Sequence, residues 1–111
     1  MSTLQRYEPA RWLKDAKDRQ GIILRQLEEL VSIESPSDNK SAVDRASHLA
    51  ASWFEELGGN IRWHRQKQFG DLLEARFGSS QALPVRARVA KDVAPKSILL
   101  LGHLDAVWPM G

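Results

Sequence analysis

The chain has 111 residues, 42% of them hydrophobic and 27% charged, with 16 basic against 14 acidic side chains and no cysteine. A segment of this size holds one domain or part of one, and a disulfide scaffold is excluded. No apolar run approaches the roughly 18 residues of a membrane span, and Met1 to Asp18 carries no apolar signal core. The expected setting is therefore cytoplasmic, with no membrane partner.

Charge is uneven along the chain, with 8 basic and 10 acidic residues in 1–60 against 8 and 4 in 61–111. The basic residues of the second part alternate along expected strands, as on a solvated face, so no nucleic-acid partner is expected. A small basic nucleic-acid-binding domain using Arg62, Arg65, Lys67, Arg76, Arg86 and Arg88 stays as a minor alternative.

From Pro9 the apolar residues fall at helical spacing, weakly at Trp12, Leu13 and Ala16, then strongly at Ile23, Leu24, Leu27, Leu30 and Val31. Gly21 is expected to weaken or kink this first helix, and Ser35-Pro36-Ser37 to end it. A second helix follows, capped by Asp38 or by Ser41 with Asp44 three residues on. Ala42, Val43, Ala46, Leu49, Ala50, Trp53, Phe54 and Leu57 form its apolar stripe, His48 faces the other way, and Gly58-Gly59 supplies the stop.

The period then changes to two. Ile61 and Trp63 alternate with Arg62 and His64, and Leu73, Ala75 and Phe77 with Glu74 and Arg76, which predicts a hairpin around a polar turn at Gly70. His64 falls on its polar face. Val85, Ala87 and Val89 could form a short strand extension within the connection 78–96. Next, Ile98-Leu99-Leu100-Leu101 is apolar on both faces, the pattern of a buried central strand, with everything before it as cover. The fold class expected is α/β: two helices, a hairpin, then that strand.

Directly after it stand Gly102-His103-Leu104-Asp105. Ligand sites on α/β sheets lie at the carboxyl ends of strands. A His and an Asp two apart share one face of an extended backbone, which suits a metal-ligating imidazole oriented by a carboxylate. One His-x-Asp pair is a weak signal by itself, and catalytic zinc takes three protein ligands.

The run Ile98–Asp105 with Val107-Trp108-Pro109-Met110-Gly111 resembles the first metal motif of the dizinc metallopeptidases, the family of carboxypeptidase G, acetylornithine deacetylase, succinyl-diaminopimelate desuccinylase and the aminoacylases. The Trp-Pro pair points to the glutamate carboxypeptidase branch. Weaker resemblance extends to Leu27–Pro36, to Glu56-Leu57-Gly58-Gly59 and to Gly70–Gly78. The resemblance implies that residues 1–111 are the N-terminal part of the catalytic domain, cut after the first metal motif and without the lid and dimerisation domain. It implies that His103 ligates zinc, that Asp105 is the catalytic carboxylate holding the His103 ring, and that Trp108, Pro109 and Gly111 shape the substrate-cleft rim. It further implies two zinc ions in the complete enzyme, which could be a homodimer, and hydrolysis of a small amide or peptide substrate with a free carboxylate, releasing for example a C-terminal glutamate.

Ala106 departs from the threonine common in the family, and the 78–96 connection is longer than usual. The second metal motif, the glutamate general base and the remaining ligands would lie beyond Gly111, so this fragment alone is expected to be inactive. A non-enzymatic interaction module, or a truncated remnant of the enzyme, is the other alternative.

Overall fold

Pro9 sets the start of helix α1 (Pro9–Asp18), where its missing N–H costs nothing because the first helical amides have no partner. The structure, a computed structural model, describes residues 8–78 and 97–111. It divides into two units, one reaching to Ser32 and the other starting at Ile33. In the first, α1 is followed by α2 (Gln20–Val31), and neither helix has a buried residue. The single helix expected from Pro9 to Val31 is thus two helices. The break falls at Arg19 (φ −94°, ψ 1°), whose amide caps α1 by donating to the Asp15 and Lys17 carbonyls. Gly21 lies inside the first turn of α2.

The second unit is built on α3 (Lys40–Glu56) and an antiparallel hairpin of β1 (Asn60–His64) and β2 (Leu72–Arg76). Neither Asp38 nor Ser41 caps α3. Asn39 does so, its Oδ1 accepting from Ala42 N at 3.1 Å, a bond of the kind that contributes about 1 kcal/mol. Asp44 is thereby released from any capping role and turns toward the hairpin. At the other end Gly58 (φ 84°) donates to the Glu55 carbonyl at 2.9 Å and Gly59 to the Phe54 carbonyl at 2.8 Å. This reciprocal pair ends the helix and needs a left-handed residue at Gly58.

The expected hairpin is present, with Ile61 opposite Ala75 and Trp63 opposite Leu73. It packs on the face of α3 formed by Ala42, Val43, Ala46, Ser47, Ala50 and Ala51. Five of those six residues are alanine or serine-sized, so the sheet comes close to the helix backbone, and Ala42 and Ala46 are 0% exposed. Close approach is also why Gly70 is glycine, since a β-carbon there would collide with the Val43 side chain. Phe54 and Phe77 close the far end edge to face, 6.1 Å between ring centroids.

The buried central strand is not found. Ile98–Leu101 has no strand pairing and is 83–90% exposed. A run apolar on both faces is buried only where other elements cover both faces, and among the described residues none lies over this segment. The core lies instead between α3 and the hairpin. The strand extension expected at Val85, Ala87 and Val89 lies outside the described residues. Among the described residues no helix is long and apolar enough to cross a membrane.

Candidate functional site

Pro36 shapes the site. Pro36 has no N–H and disfavours helix at Ser35 before it, and here Pro36 pairs with Ala106 in a single parallel bridge that lays Ser35-Pro36-Ser37 beside Asp105-Ala106-Val107. Ala106 N donates to the Ser35 carbonyl at 2.7 Å and Ser37 N to the Ala106 carbonyl at 3.1 Å. Ser35 Oγ donates to the Leu104 carbonyl at 2.9 Å. Ser35 and Pro36 are buried. The loop that the sequence marks only as a helix terminator is therefore the support of the His103-Leu104-Asp105 motif.

On that support His103 and Asp105 meet. His103 Nδ1 lies 3.2 Å from Asp105 Oδ1 and 3.2 Å from the Asp105 carbonyl oxygen. The second carboxylate oxygen, Oδ2, accepts from Ser37 Oγ at 2.5 Å. The Ser37 hydroxyl first, then the Asp105 backbone amide and the charge of His103, hold the Asp105 carboxyl below its ordinary value, against a partial desolvation that acts the other way. The His103 side chain is 84% exposed. With Nδ1 turned toward Asp105, Nε2 is the ring nitrogen that faces away from the carboxylate.

Donor chemistry decides what this pair could hold. An imidazole with one nitrogen on a carboxylate fits a metal ligand with its orienting partner. It is one ligand, whereas catalytic zinc takes three from the protein, and among the described residues no group of three His, Cys, Asp or Glu side chains is placed to hold a metal. Trp108 and Pro109 follow the pair as exposed residues. Gly111 (φ 89°) donates its amide to Glu34 Oε1 at 2.8 Å. Glu34 thus adds a second tie between the 34–37 segment and the end of the motif.

The other two histidines stay on the surface as expected. His48 stacks over Trp63 with ring centroids 4.5 Å apart, and His64 Nε2 lies 2.8 Å from Glu74 Oε2. Of the basic residues on the hairpin, Arg65 donates to Asp71 and Arg76 to Glu74. His64 first, then Arg76, lowers the Glu74 carboxyl from its ordinary value. Arg86 and Arg88 lie outside the described residues.

Sequence reasoning passed over two residues. Ser37 was visible only as part of a loop, and its partner is 68 positions away. Asp71 was read as part of a polar turn, yet its side chain is 4% exposed and carries three charged or backbone partners. Its Oδ1 accepts from Lys40 Nζ at 2.7 Å and Gln66 N at 2.8 Å, its Oδ2 from Arg65 Nη1 at 2.6 Å, and its own amide donates to Asp44 Oδ1 at 2.8 Å. Lys40 above all holds the Asp71 carboxyl far below the usual carboxylate range, and Asp71 in turn raises Lys40.

Comparison with known protein families, with curated proteins and with solved structures finds no match for this chain.

Proposed function

We propose that this chain is the N-terminal part of the catalytic domain of a zinc-dependent metallopeptidase of the glutamate carboxypeptidase branch. His103 is the metal ligand and Asp105 the catalytic carboxylate that orients it. The observation that carries the reading is the meeting of His103 Nδ1 with an Asp105 carboxylate that Ser37 holds from the other side. That arrangement fixes the ring and leaves Nε2 its lone pair, which is what a metal-ligating histidine requires. When bound, zinc supplies the Lewis acidity that polarises an amide carbonyl.

Asp105, kept ionised by Ser37, accepts from the His103 ring and orients it. On the same reading the exposed Trp108, Pro109 and Gly111 would shape the substrate-cleft rim. On this reading the substrate is a small amide or peptide with a free carboxylate. The other ligands and the glutamate general base would belong to sequence beyond Gly111.

The test is metal content together with glutamate release from acyl-glutamate substrates, on the product of the coding sequence read past the codon for Gly111. Two zinc ions per chain and hydrolysis are expected, and His103→Ala is expected to weaken zinc binding by more than about 100-fold, beyond the range seen when only an orienting partner is removed. Residues 1–111 alone, with a single ligand, are expected to bind zinc weakly and to hydrolyse nothing. Tight zinc binding by residues 1–111, lost in His103→Ala, would overturn the ligand count.

The exposure of Ile98–Leu101 favours a second reading, a module that takes up a partner strand along this segment. It predicts a stoichiometric, metal-independent complex in light scattering that Leu99→Lys abolishes. A monomer at all concentrations, for both proteins, would remove it.

A further inference from the structure

We propose that Ser37 is a positioning residue of the His103–Asp105 pair, setting the tautomer of the His103 ring through the carboxylate between them. The consequence for metal binding rests on His103 being a ligand; the tautomer itself does not.

A serine hydroxyl has one proton to donate. Two acceptors lie within reach of Ser37 Oγ, the Asp105 Oδ2 at 2.5 Å and the Ala106 carbonyl at 3.3 Å. The carboxylate takes the proton, because the bond is shorter and its acceptor is charged. Nor is the carbonyl left wanting, since it already accepts from Ser37 N.

The bond to Oδ2 constrains rotation of the carboxylate about its terminal torsion, which is otherwise broad. Once that torsion is fixed, Oδ1 faces His103 Nδ1. A carboxylate oxygen there and the Asp105 carbonyl oxygen at the same 3.2 Å distance both accept and cannot donate. Nδ1 must therefore carry the hydrogen, and the lone pair falls on Nε2.

Ser37 is fit for this because its own position is set by backbone. Its amide is tied to Ala106, and the preceding pair Ser35-Pro36 is buried against the same segment. Ser35 makes a different contact, from Oγ to the Leu104 carbonyl, which supports the chain path without touching the carboxylate. The two serines of Ser35-Pro36-Ser37 thus divide the work: one holds the backbone, the other aims the side chain.

The experiment is long-range proton–nitrogen NMR of the histidine-labelled, metal-free chain of residues 1–111, about two pH units above the ordinary histidine value so that the ring is neutral. The His103 signals, assigned by their loss in His103→Ala, are expected to show hydrogen on Nδ1 in the wild-type chain. Ser37→Ala shifts the ratio severalfold toward hydrogen on Nε2, Ser37→Thr restores the wild-type ratio, and Ser35→Ala leaves it unchanged. Hydrogen on Nε2 in the wild-type chain overturns the proposal outright. So does a Ser37→Ala ratio equal to wild type, or a Ser35→Ala shift as large as that of Ser37→Ala. Zinc titration of His103→Ala in the full-length protein tests the ligand reading separately, so either can fail while the other stands.

Discussion

Asp71→Asn is expected to lower the Tm by about 10 °C at neutral pH, a loss in the range of leaving a hydrogen bond of a buried polar group unmade in a chain of this size. The carboxylate ties the β1–β2 connection to the first turn of α3 through Lys40 on one oxygen, and closes the connection on itself through Arg65 on the other. An amide in its place offers one acceptor oxygen, so one of these cations loses its bond. The NH₂ group is then turned toward a donor.

The pH dependence has a definite sign. A carboxyl whose folded value is depressed stabilises the fold fully above its unfolded value, near pH 4, and loses that contribution as pH falls toward the folded value. Wild-type Tm is therefore expected to be level from about pH 5 to 7 and to drop steeply below pH 4. Asp71→Asn should start lower and lose less on acidification, because Asp71 no longer contributes a proton uptake. Thermal scans of both proteins from pH 2.5 to 7 check this, and parallel curves would contradict it.

Ala46→Leu is expected to cost about 2 to 3 kcal/mol, read as a fall in denaturant midpoint with an unchanged slope. Ala46 is 0% exposed on the face of α3 where the hairpin rests, flanked by Ala42 and Ala50 one turn either way. A leucine adds three carbons where close packing has left no room, and relief would require the hairpin to lift off the helix. Arg45→Leu, one position away on the exposed side, is expected to change the midpoint little. Equal effects of the two substitutions would place the packing face elsewhere.

How far the fold was legible depends on where its information sits. The hairpin was, because alternation of Ile61 and Trp63 with charged neighbours is a local pattern and Gly58-Gly59 marks its start. The stripe of α3 was legible only in its first half: Ala42, Val43, Ala46 and Ala50 are buried as expected, whereas Phe54 and Leu57 are exposed and Ser47 and Ala51 join the buried face, and the cap was not legible. Asn39, Asp38 and Ser41 all carry acceptor side chains, and only the backbone path selects among them. Ile98–Leu101 misled because an apolar run reports what a segment would bury and says nothing of whether partners lie beside it.

The candidate site divides in the same way. His103 and Asp105 are two residues apart, so their meeting follows from an extended backbone. Ser37 and Asp71 act across 68 and 31 residues respectively, and no spacing rule reaches that far. A serine after proline is ordinary turn chemistry until the segment it touches is known.

The Ser35–Leu104 bond joins positions 69 residues apart. Closing a loop of that length from an unfolded chain costs about 4 kcal/mol of configurational entropy, far more than the local contacts of α3 require. The bridge thus belongs to the slow part of the folding reaction, after helix and hairpin have formed. Where that bridge is broken the His103 ring loses its aim, and anything that binds the closed bridge draws the histidine into its aligned state by mass action.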